Sequence, residues 1–217
     1  MTLKLTRPNW AALFPKARPA IIDAFAAHTD VLDQAGITAT RTRLAYTLAN
    51  VEHESGGFTI KNLTENLNYS AERMAELFEH RVGNVQQIIA TFGTAPGWQK
   101  KAFDVIYGRA ELGNRPGTND GSRYVGRGGP QITGRDGYAQ VGQRTGLDLV
   151  GNPELATLPE NQPAILAAFY RWKNLSKFAD NDDFTGFVKA WNGGGIGMND
   201  RKAQLSKNAG IIQNLKE

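Results

Sequence analysis

Apolar side chains recur along most of this chain at the three- and four-residue spacing that is typical of amphipathic α-helices. The clearest run places Leu44, Leu48 and Val51 on one helical face and ends at the glycine pair Gly56 and Gly57. Similar spacing predicts further helices over residues 18–35, 70–92 with a break at Gly83, 99–112, 135–146, 160–173 and 182–191, and a terminal helix after residue 199. The pattern therefore predicts a mainly α protein.

Two glycine-rich segments interrupt the helical pattern. Residues 113–129 contain six glycines and no helical period, which predicts a long ordered loop or a small hairpin. A second glycine run covers residues 192–199. Because long loops inside compact domains usually carry function, we expect both segments to line a cleft. No repeat, low-complexity tract or linker divides residues 1–217, so we predict a single domain with no separate binding module.

The composition narrows the possible chemistry. The chain has 217 residues, 41% of them hydrophobic and 20 of them aromatic (4 Trp, 6 Tyr and 10 Phe), which is enough apolar surface for a core. It has no cysteine, which excludes disulfides, thiolate zinc sites and thiol catalysis. The three histidines, His28, His53 and His80, match no zinc-binding spacing, so we expect neither a metal nor another cofactor.

The net charge of the chain indicates which classes of binding partner it can attract. The chain carries 25 Lys and Arg residues against 21 Asp and Glu residues, a net charge of +4. This favours nucleic acid or an acidic cell-wall polymer as partner, although an indifferent basic surface fits equally well. Nucleic acid is disfavoured because no run of basic residues is interleaved with aromatic ones. Arg7 and Pro8 interrupt the N-terminal segment, and no window approaches the roughly 18 apolar residues of a membrane span, so we expect cytoplasmic synthesis without a signal peptide or membrane insertion.

Two glutamates form the strongest catalytic candidate. Glu54 and Glu65 lie 11 positions apart across a glycine turn that can bring them together. Glycoside hydrolysis needs such a pair, one carboxylic acid to protonate the leaving oxygen and one carboxylate to activate water. Glu54 lies in the last turn of its predicted helix, where the helix dipole opposes negative charge and favours a general acid. Glu65 lies in an asparagine-rich loop, where we expect it to stay hydrated, ionised and suited to act as the base.

The helical period leaves one choice open at this point. Measured from Leu44, Glu52 and Glu54 fall about 80° on either side of the apolar face, so either can face a cleft. Both can equally be hydrated carboxylates at a helix end.

Two further segments offer polar groups beside bare backbone. Residues 124–138 match no phosphate-binding glycine motif, but Gln131, Thr133 and Tyr138 suit a polyhydroxylated substrate or a positioned water. A glycine turn packed beneath the helices is the alternative interpretation. Trp191 precedes an Asn-Gly-Gly-Gly run and is a candidate sugar platform, although a tryptophan at this spacing is more often part of a core.

Four segments together resemble a known family. They are His53–Phe58, Glu65–Ala71, Tyr124–Thr133 and Asn192–Gly194. In this order they are similar to the motifs of glycoside hydrolase family 19 and, within it, of the bacteriophage endolysin branch. The resemblance extends from about residue 37 to residue 201 and implies a lysozyme-like, two-lobed helical fold with a central substrate cleft.

The resemblance also implies roles for individual residues. Glu54 corresponds to the general acid, which resolves the choice against Glu52, and Glu65 corresponds to the general base. Thr133 corresponds to a residue that holds the attacking water. The residues implied to lie in or beside the sugar cleft are Tyr124, Gln131, Asn192 and Arg201. The family inverts the anomeric centre, so we expect the carboxylates about 6.5–9.5 Å apart, with room for water between them.

Two departures from the family pattern concern the site. The segment between Glu54 and Glu65 is longer than is usual among the endolysins, which changes the loop that carries Glu65. Gly137 stands where family members commonly have asparagine, so a contact to water or substrate is either missing or supplied by another residue.

The resemblance and the charge together predict an enzyme that cleaves the β-1,4 glycan of bacterial peptidoglycan. A chitinase and a catalytically inactive wall-binding module are the alternatives. We expect a monomer that acts on the cell wall after release from the cytoplasm of a bacterial host, with a holin-type protein providing the route.

Overall fold

The computed structural model describes residues 2–217 as an assembly of helices. The only β-type pairings in that range are two isolated bridges, which join Arg127 to Thr64 and to Ile132. The α-helices, in chain order, are α1 (Arg7–Leu13), α2 (Pro19–Ala27), α3 (Thr29–Ala35), α4 (Arg41–Ser55), α5 (Ala71–Val82), α6 (Val85–Phe92), α7 (Trp98–Ile106), α8 (Asp120–Arg123), α9 (Gly134–Thr145), α10 (Gln162–Trp172), α11 (Ser176–Asp180), α12 (Phe184–Asn192) and α13 (Met198–Gln213). The predicted mainly α class is confirmed.

Three predicted elements need correction. The helix predicted over residues 18–35 is two helices, α2 and α3, because the backbone at His28 leaves the helical region (φ −124°, ψ 33°). The helix predicted over 99–112 ends at Ile106, and a separate 3₁₀ turn follows at Ala110–Leu112. The loop predicted over 113–129 contains the short helix α8. Helix α1 was not predicted at all.

Helix α4 begins and ends where its sequence indicates. The hydroxyl of Thr40 accepts a hydrogen bond from the backbone N–H of Arg43 at 3.1 Å, which caps the N-terminus. Gly56 has φ 58°, the left-handed conformation that glycine adopts at helix ends at little cost. The predicted apolar face is fully buried, and helix α13 packs along α4. The end of α4 is therefore held firmly within the protein.

Two separate groups of buried apolar side chains divide the molecule into lobes. The small lobe is formed by α5, α6 and α7, and its core consists of Met74, Val82, Ile88, Ala102, Phe103 and Ile106. The large lobe contains α1–α4 and α9–α13, which surround a much larger core. Within residues 2–217, we find no helix that combines the length and the apolar character needed to cross a membrane.

Candidate active site

A cavity of about 490 Å³ is lined by residues of both lobes. Glu54 from the end of α4 and Glu65 from the loop before α5 both face it. The other polar and aromatic side chains that line it are Tyr107, Gln131, Thr133, Phe169, Trp172, Lys173, Trp191 and Asn192. The two glutamates predicted as a pair therefore share one opening. The described residues hold no group of three or more His, Cys, Asp or Glu side chains arranged to bind a metal ion.

Glu54 is held by a buried guanidinium. Arg201 of α13 donates one hydrogen bond to Glu54 Oε1 and another to Oδ1 of Asn50, one helical turn earlier on α4. The Arg201 side chain is 1% exposed, whereas the Glu54 side chain is 20% exposed. Arg201 therefore lies behind the carboxylate, and Oε2 of Glu54 is left free of this contact. The sequence predicted Arg201 in or beside the cleft, and its burial limits it to acting through Glu54.

Glu52 faces a different cavity, which answers the question that the helical period left open. This second cavity, of about 350 Å³, is also lined by His53 and Lys207. Lys207 Nζ donates to Glu52 Oε1 at 2.7 Å. His53 Nδ1 lies 2.6 Å from Oδ2 of Asp200, a contact that lowers the pKa of Asp200 and ties the end of α4 to the start of α13. Of the two glutamates, only Glu54 lines the cavity that contains Glu65.

Each carboxylate oxygen of Glu65 accepts a hydrogen bond. The hydroxyl of Tyr107, at the end of α7, donates to Oε1 at 2.8 Å, and the backbone N–H of Gly126 donates to Oε2 at 3.1 Å. The backbone N–H of Glu65 in turn donates to the carbonyl of Gly126 at 2.8 Å, next to the bridge between Thr64 and Arg127. The segment before α5 is thereby fastened to the glycine-rich segment 113–129.

The environment of Glu65 differs from the hydrated loop expected from the sequence. Burial raises the pKa of Glu65, and the hydrogen bonds from Gly126 and Tyr107 together with the charge of Arg127 only partly offset this effect. The expectation of a well-hydrated carboxylate was wrong because Tyr107 and Gly126 cover it. Burial likewise raises the pKa of Tyr107, so this hydroxyl stays protonated and keeps donating.

Thr133 and Gln131 lie in the cavity wall, as the resemblance implied. Thr133 Oγ1 donates to the carbonyl of Gln131 at 3.1 Å, so its lone pairs remain available to accept a hydrogen bond from water. Gln131 has φ 55°, and its Nε2 donates to the carbonyl of Gly128 at 2.8 Å. A Cβ atom on Gly126 would lie 2.7 Å from Gln131 Oε1, so a larger residue at position 126 would displace the end of the Gln131 side chain.

Two tyrosines predicted at the site belong to the core instead. Tyr124, implied as a substrate-binding residue, is 1% exposed and donates to the carbonyl of Val150 at 3.0 Å. The hydroxyl of Tyr138 donates to the carbonyl of Val125 at 2.7 Å and accepts from Arg127. Neither side chain reaches the cavity, because both hydroxyls are used to anchor the glycine-rich segment from beneath.

Two residues at the end of α12, Trp191 and Asn192, were candidates for the sugar cleft. Asn192 lines the cavity and is exposed, but its amide also organises the glycine run, donating to the carbonyl of Ile196 at 3.3 Å and accepting from Gly194 N–H at 2.9 Å. Trp191 is 3% exposed and packs against Phe169 with ring centroids 4.8 Å apart. Trp191 also lines the cavity, but its burial and its contact with Phe169 favour the interpretation as mainly a core residue.

Several side chains of the cavity wall were not predicted from the sequence. Among them are Tyr107, Trp172 and Lys173. An ideal Cβ atom on Gly137 would lie 3.5 Å from the Trp172 ring, in ordinary van der Waals contact with it. Tyr107 and Lys173 immediately follow α7 and α10. Polar or aromatic residues at helix ends are common, and no local signal separates these from the others.

Known proteins provide an independent comparison. The chain matches no protein-family model. It is 29% identical over 210 residues to a Haemophilus influenzae protein named glycosyl hydrolase family 19 domain-containing protein, a match that covers 93% of this chain and 94% of that protein. The crystal structure of a bacterial family 19 chitinase superposes with a TM-score of 0.56 at 18% identity, covering 95% of this chain and 94% of that one. Chitinase C from Streptomyces griseus HUT6037 superposes with a TM-score of 0.54 at 19% identity, covering 96% and 76%.

The two kinds of similarity agree. The solved structures share the fold, and the sequence match extends over nearly the full length of both proteins. Segments His53–Phe58 and Glu65–Ala71, which carry the family resemblance, place their glutamates on one cavity. The chain is therefore similar over nearly its whole length to a protein named for glycosyl hydrolase family 19, and it shares the fold of a solved bacterial family 19 chitinase.

Proposed function

We propose that this enzyme hydrolyses the β-1,4 glycan of bacterial peptidoglycan by an inverting mechanism, with Glu54 as general acid and Glu65 as general base. The observation that carries this proposal is that the two glutamates line one cavity from different elements, with Thr133 beside them. An inverting reaction needs a carboxyl group on each side of the scissile bond and space for water at the base.

Glu54 is suited to deliver a proton to the leaving oxygen. Arg201 donates to Oε1, which leaves Oε2 to carry the proton towards the cavity. When the proton leaves, the carboxylate that forms already has a buried guanidinium partner. Because this partner is in place before the reaction, it stabilises the developing negative charge without reorganisation.

Glu65 is suited to take a proton from water. Burial raises the pKa of Glu65, which makes the ionised carboxylate a stronger base. Tyr107 and Gly126 each occupy one lone pair of a carboxylate oxygen and fix its orientation, while further lone pairs remain for water. A water that donates one hydrogen to Glu65 and the other to Thr133 Oγ1 would be held for attack on the anomeric carbon.

The choice of substrate rests on charge. The chain carries a net charge of +4, which attracts an acidic wall polymer over long distances. The alternative substrate is chitin, and it is favoured by the likeness to solved chitinases. An inactive wall-binding module is the third candidate, and the presence of both glutamates in one cavity argues against it.

Two assays on purified protein separate these candidates. We expect the enzyme to clear a suspension of washed bacterial walls faster, per mole of glycosidic bonds, than it releases soluble sugar from colloidal chitin. Glu54→Gln should abolish clearance, whereas Glu52→Gln, the matched change in the second cavity, should keep it. Strong chitin turnover with inert walls would favour the chitinase, and clearance that survives Glu54→Gln would remove Glu54 from the mechanism.

Product analysis tests the stereochemistry and the bond. Mass spectrometry of the reducing ends identifies the sugar at which the chain is cut. Proton NMR of the first-formed product should show the α-anomer, because inversion converts a β-linkage into an α-configured product. A β-anomer as first product would exclude the inverting mechanism.

The proposal includes the endolysin role that the sequence resemblance implied: a monomer released to the wall by a separately encoded holin-type protein. Expression inside bacteria should cause lysis only when a membrane-permeabilising protein is produced with it. Lysis by the enzyme alone would show an export route of its own.

A further inference from the structure

Lys173 brings a positive charge into the active-site cavity. It directly follows α10, and its Nζ atom lies 4.1 Å from the centroid of the Trp172 ring and 5.8 Å from that of Phe169. All three residues line the cavity that contains Glu54 and Glu65. Contact with the aromatic faces holds the ammonium group by cation–π attraction and restricts where it can lie.

This charge has no ionic or hydrogen-bonding partner among the described residues. Across residues 2–217, the Lys173 ammonium forms no ion pair and donates no hydrogen bond to another side chain or carbonyl. Burial lowers the pKa of Lys173, and the charge of Asp136 on α9 offsets this only in part. A partly buried cation without a carboxylate partner is costly, and a ligand that supplies a carboxylate would offset this cost.

The other cations near the catalytic glutamates have partners within the chain. Arg201 is bound to Glu54 and Asn50, and Arg127 donates to the carbonyl of Arg123 and to Tyr138. The charge of Arg127 also lowers the pKa of Glu65 and so offsets part of the effect of burial. Among the described cavity-lining residues, Lys173 is the only cation, and its charge is available to whatever enters.

We propose that Lys173 is a specificity-determining residue that binds a carboxylate carried by the glycan substrate and so selects peptidoglycan over chitin. The inference rests on the proposed function, since it assigns the feature of the peptidoglycan chain that this site recognises. Peptidoglycan bears carboxylates on its muramic acid residues, either on the lactyl group itself or on the peptide stem attached to it. A chitin chain of N-acetylglucosamine has no such group, so Lys173 has no charged partner there.

The test compares one substitution on two substrates. Lys173→Met keeps the apolar stem and removes the charge. We expect the ratio of kcat/KM on soluble peptidoglycan fragments to kcat/KM on chitin hexamer to fall about tenfold, mainly through KM, a change equivalent to about 1.4 kcal/mol. Lys173→Arg should restore most of the ratio. The matched control is Lys177→Met, which removes an exposed lysine that contacts the Phe178 ring outside the cavity and should leave the ratio unchanged.

Two modified glycan substrates identify the carboxylate that Lys173 binds. Glycan strands from which an amidase has removed the peptide stems retain only the lactyl carboxylate, and strands with intact stems whose carboxylates have been amidated retain neither. A Lys173 effect on stem-free strands shows that Lys173 binds the lactyl carboxylate. An effect on intact, unmodified stems, in which the lactyl carboxyl group is tied up in the amide bond to the stem, shows that it binds a carboxylate of the peptide. The effect should vanish on the amidated strands.

The outcomes separate this inference from the proposed function. If wild-type enzyme cleaves peptidoglycan and Lys173→Met leaves the ratio unchanged, or lowers both activities equally, Lys173 is not a selector and the proposed function survives. If wild-type enzyme cleaves chitin hexamer but not peptidoglycan, the proposed function fails and the selector role fails with it. Binding of stem-free strands to the Glu54→Gln variant, measured by calorimetry with and without Lys173→Met, checks the same contact without turnover. Equal affinities there, together with equal affinities for intact stems, overturn the inference.

Discussion

The two lobes each contribute a partner to one of the proposed catalytic glutamates, and they do so by different means. In the large lobe, a buried charge, Arg201, holds Glu54 at the end of a helix whose apolar face is fully buried. In the small lobe, a neutral hydroxyl, that of Tyr107, holds Glu65, and the Tyr107 ring packs against Phe103 at 5.5 Å. The acid is therefore fixed by an ion pair in a large core, and the base by an aromatic residue on a small one.

The difference has a physical consequence. A small core buries less apolar surface, so the small lobe is the part of the molecule expected to open first in local unfolding. Glu65 and Tyr107 depend on that lobe, whereas Glu54 and Arg201 do not. Disturbing the small lobe should therefore affect the base before it affects the acid.

The largest expected effects on the free energy of unfolding come from a Phe→Ala substitution in the core of each lobe. Phe103→Ala in the small lobe and Phe187→Ala in the large lobe should each cost about 3–5 kcal/mol, because both rings are fully buried. Phe187→Ala should lower the melting temperature of the whole protein. Phe103→Ala should instead increase amide hydrogen exchange in α5–α7 and reduce activity while the large lobe stays protected. Equal exchange in both lobes of both variants would show that the protein unfolds as one unit.

Removing the buried guanidinium is the next largest change. Arg201→Met leaves Asn50 and Glu54 without their donor, and we expect a loss of about 2–3 kcal/mol in the free energy of unfolding, since Glu54 can still reach water. We expect kcat to fall about 100-fold, because a preorganised partner for the developing carboxylate is lost. Denaturant titration and steady-state kinetics measure the two effects. A stability loss without a loss of kcat would limit Arg201 to a structural role.

The Tyr107 hydroxyl, which donates to Glu65, can be removed by the substitution Tyr107→Phe with little change in the shape of the side chain. Tyr107 lowers the pKa of Glu65 through its hydrogen bond, so Tyr107→Phe should raise that pKa further. The base works only when ionised, so the acidic limb of the pH profile of kcat/KM should move to higher pH, and activity on that limb should fall about tenfold. Tyr170→Phe is the matched control, because the Tyr170 hydroxyl is buried without a hydrogen-bond partner among the described residues. A limb that stays in place, or moves to lower pH, contradicts the assignment of Glu65 as base.

The smallest effect is expected at the second cavity. Glu52→Gln weakens a partly exposed contact with Lys207, and we expect a change of less than about 1 kcal/mol in stability and less than twofold in kcat/KM. The same measurements on Glu54→Gln provide the contrast, since the two glutamates are two positions apart on one helix. A large loss of activity in Glu52→Gln would indicate that Glu52 also contributes to catalysis, although it lines the second cavity.

The parts of the structure that were predicted correctly depend on neighbours in sequence. The glycine that ends α4 and the apolar face of α4 are both properties of a single segment. The break at Gly83 between α5 and α6 is likewise local. The kink at His28 was missed because the apolar spacing continues across it. Tyr124 was assigned to the cleft because its motif resembled a cleft segment, and its burial depends on Val150, which is 26 residues away.

The sequence alone determined most of the helices, the glycine-rich segments and, through its motifs, the two glutamates proposed for the site. Only the tertiary structure decided which side of α4 faces Glu65 and which groups surround each carboxylate. Arg201 is 147 positions from Glu54, and Tyr107 is 42 positions from Glu65. Contacts over such distances arise when helices pack, and helical periodicity carries no information about them. The same packing placed Lys173 against Trp172 in the cavity, although nothing in its local sequence marked it as different from other lysines at helix ends.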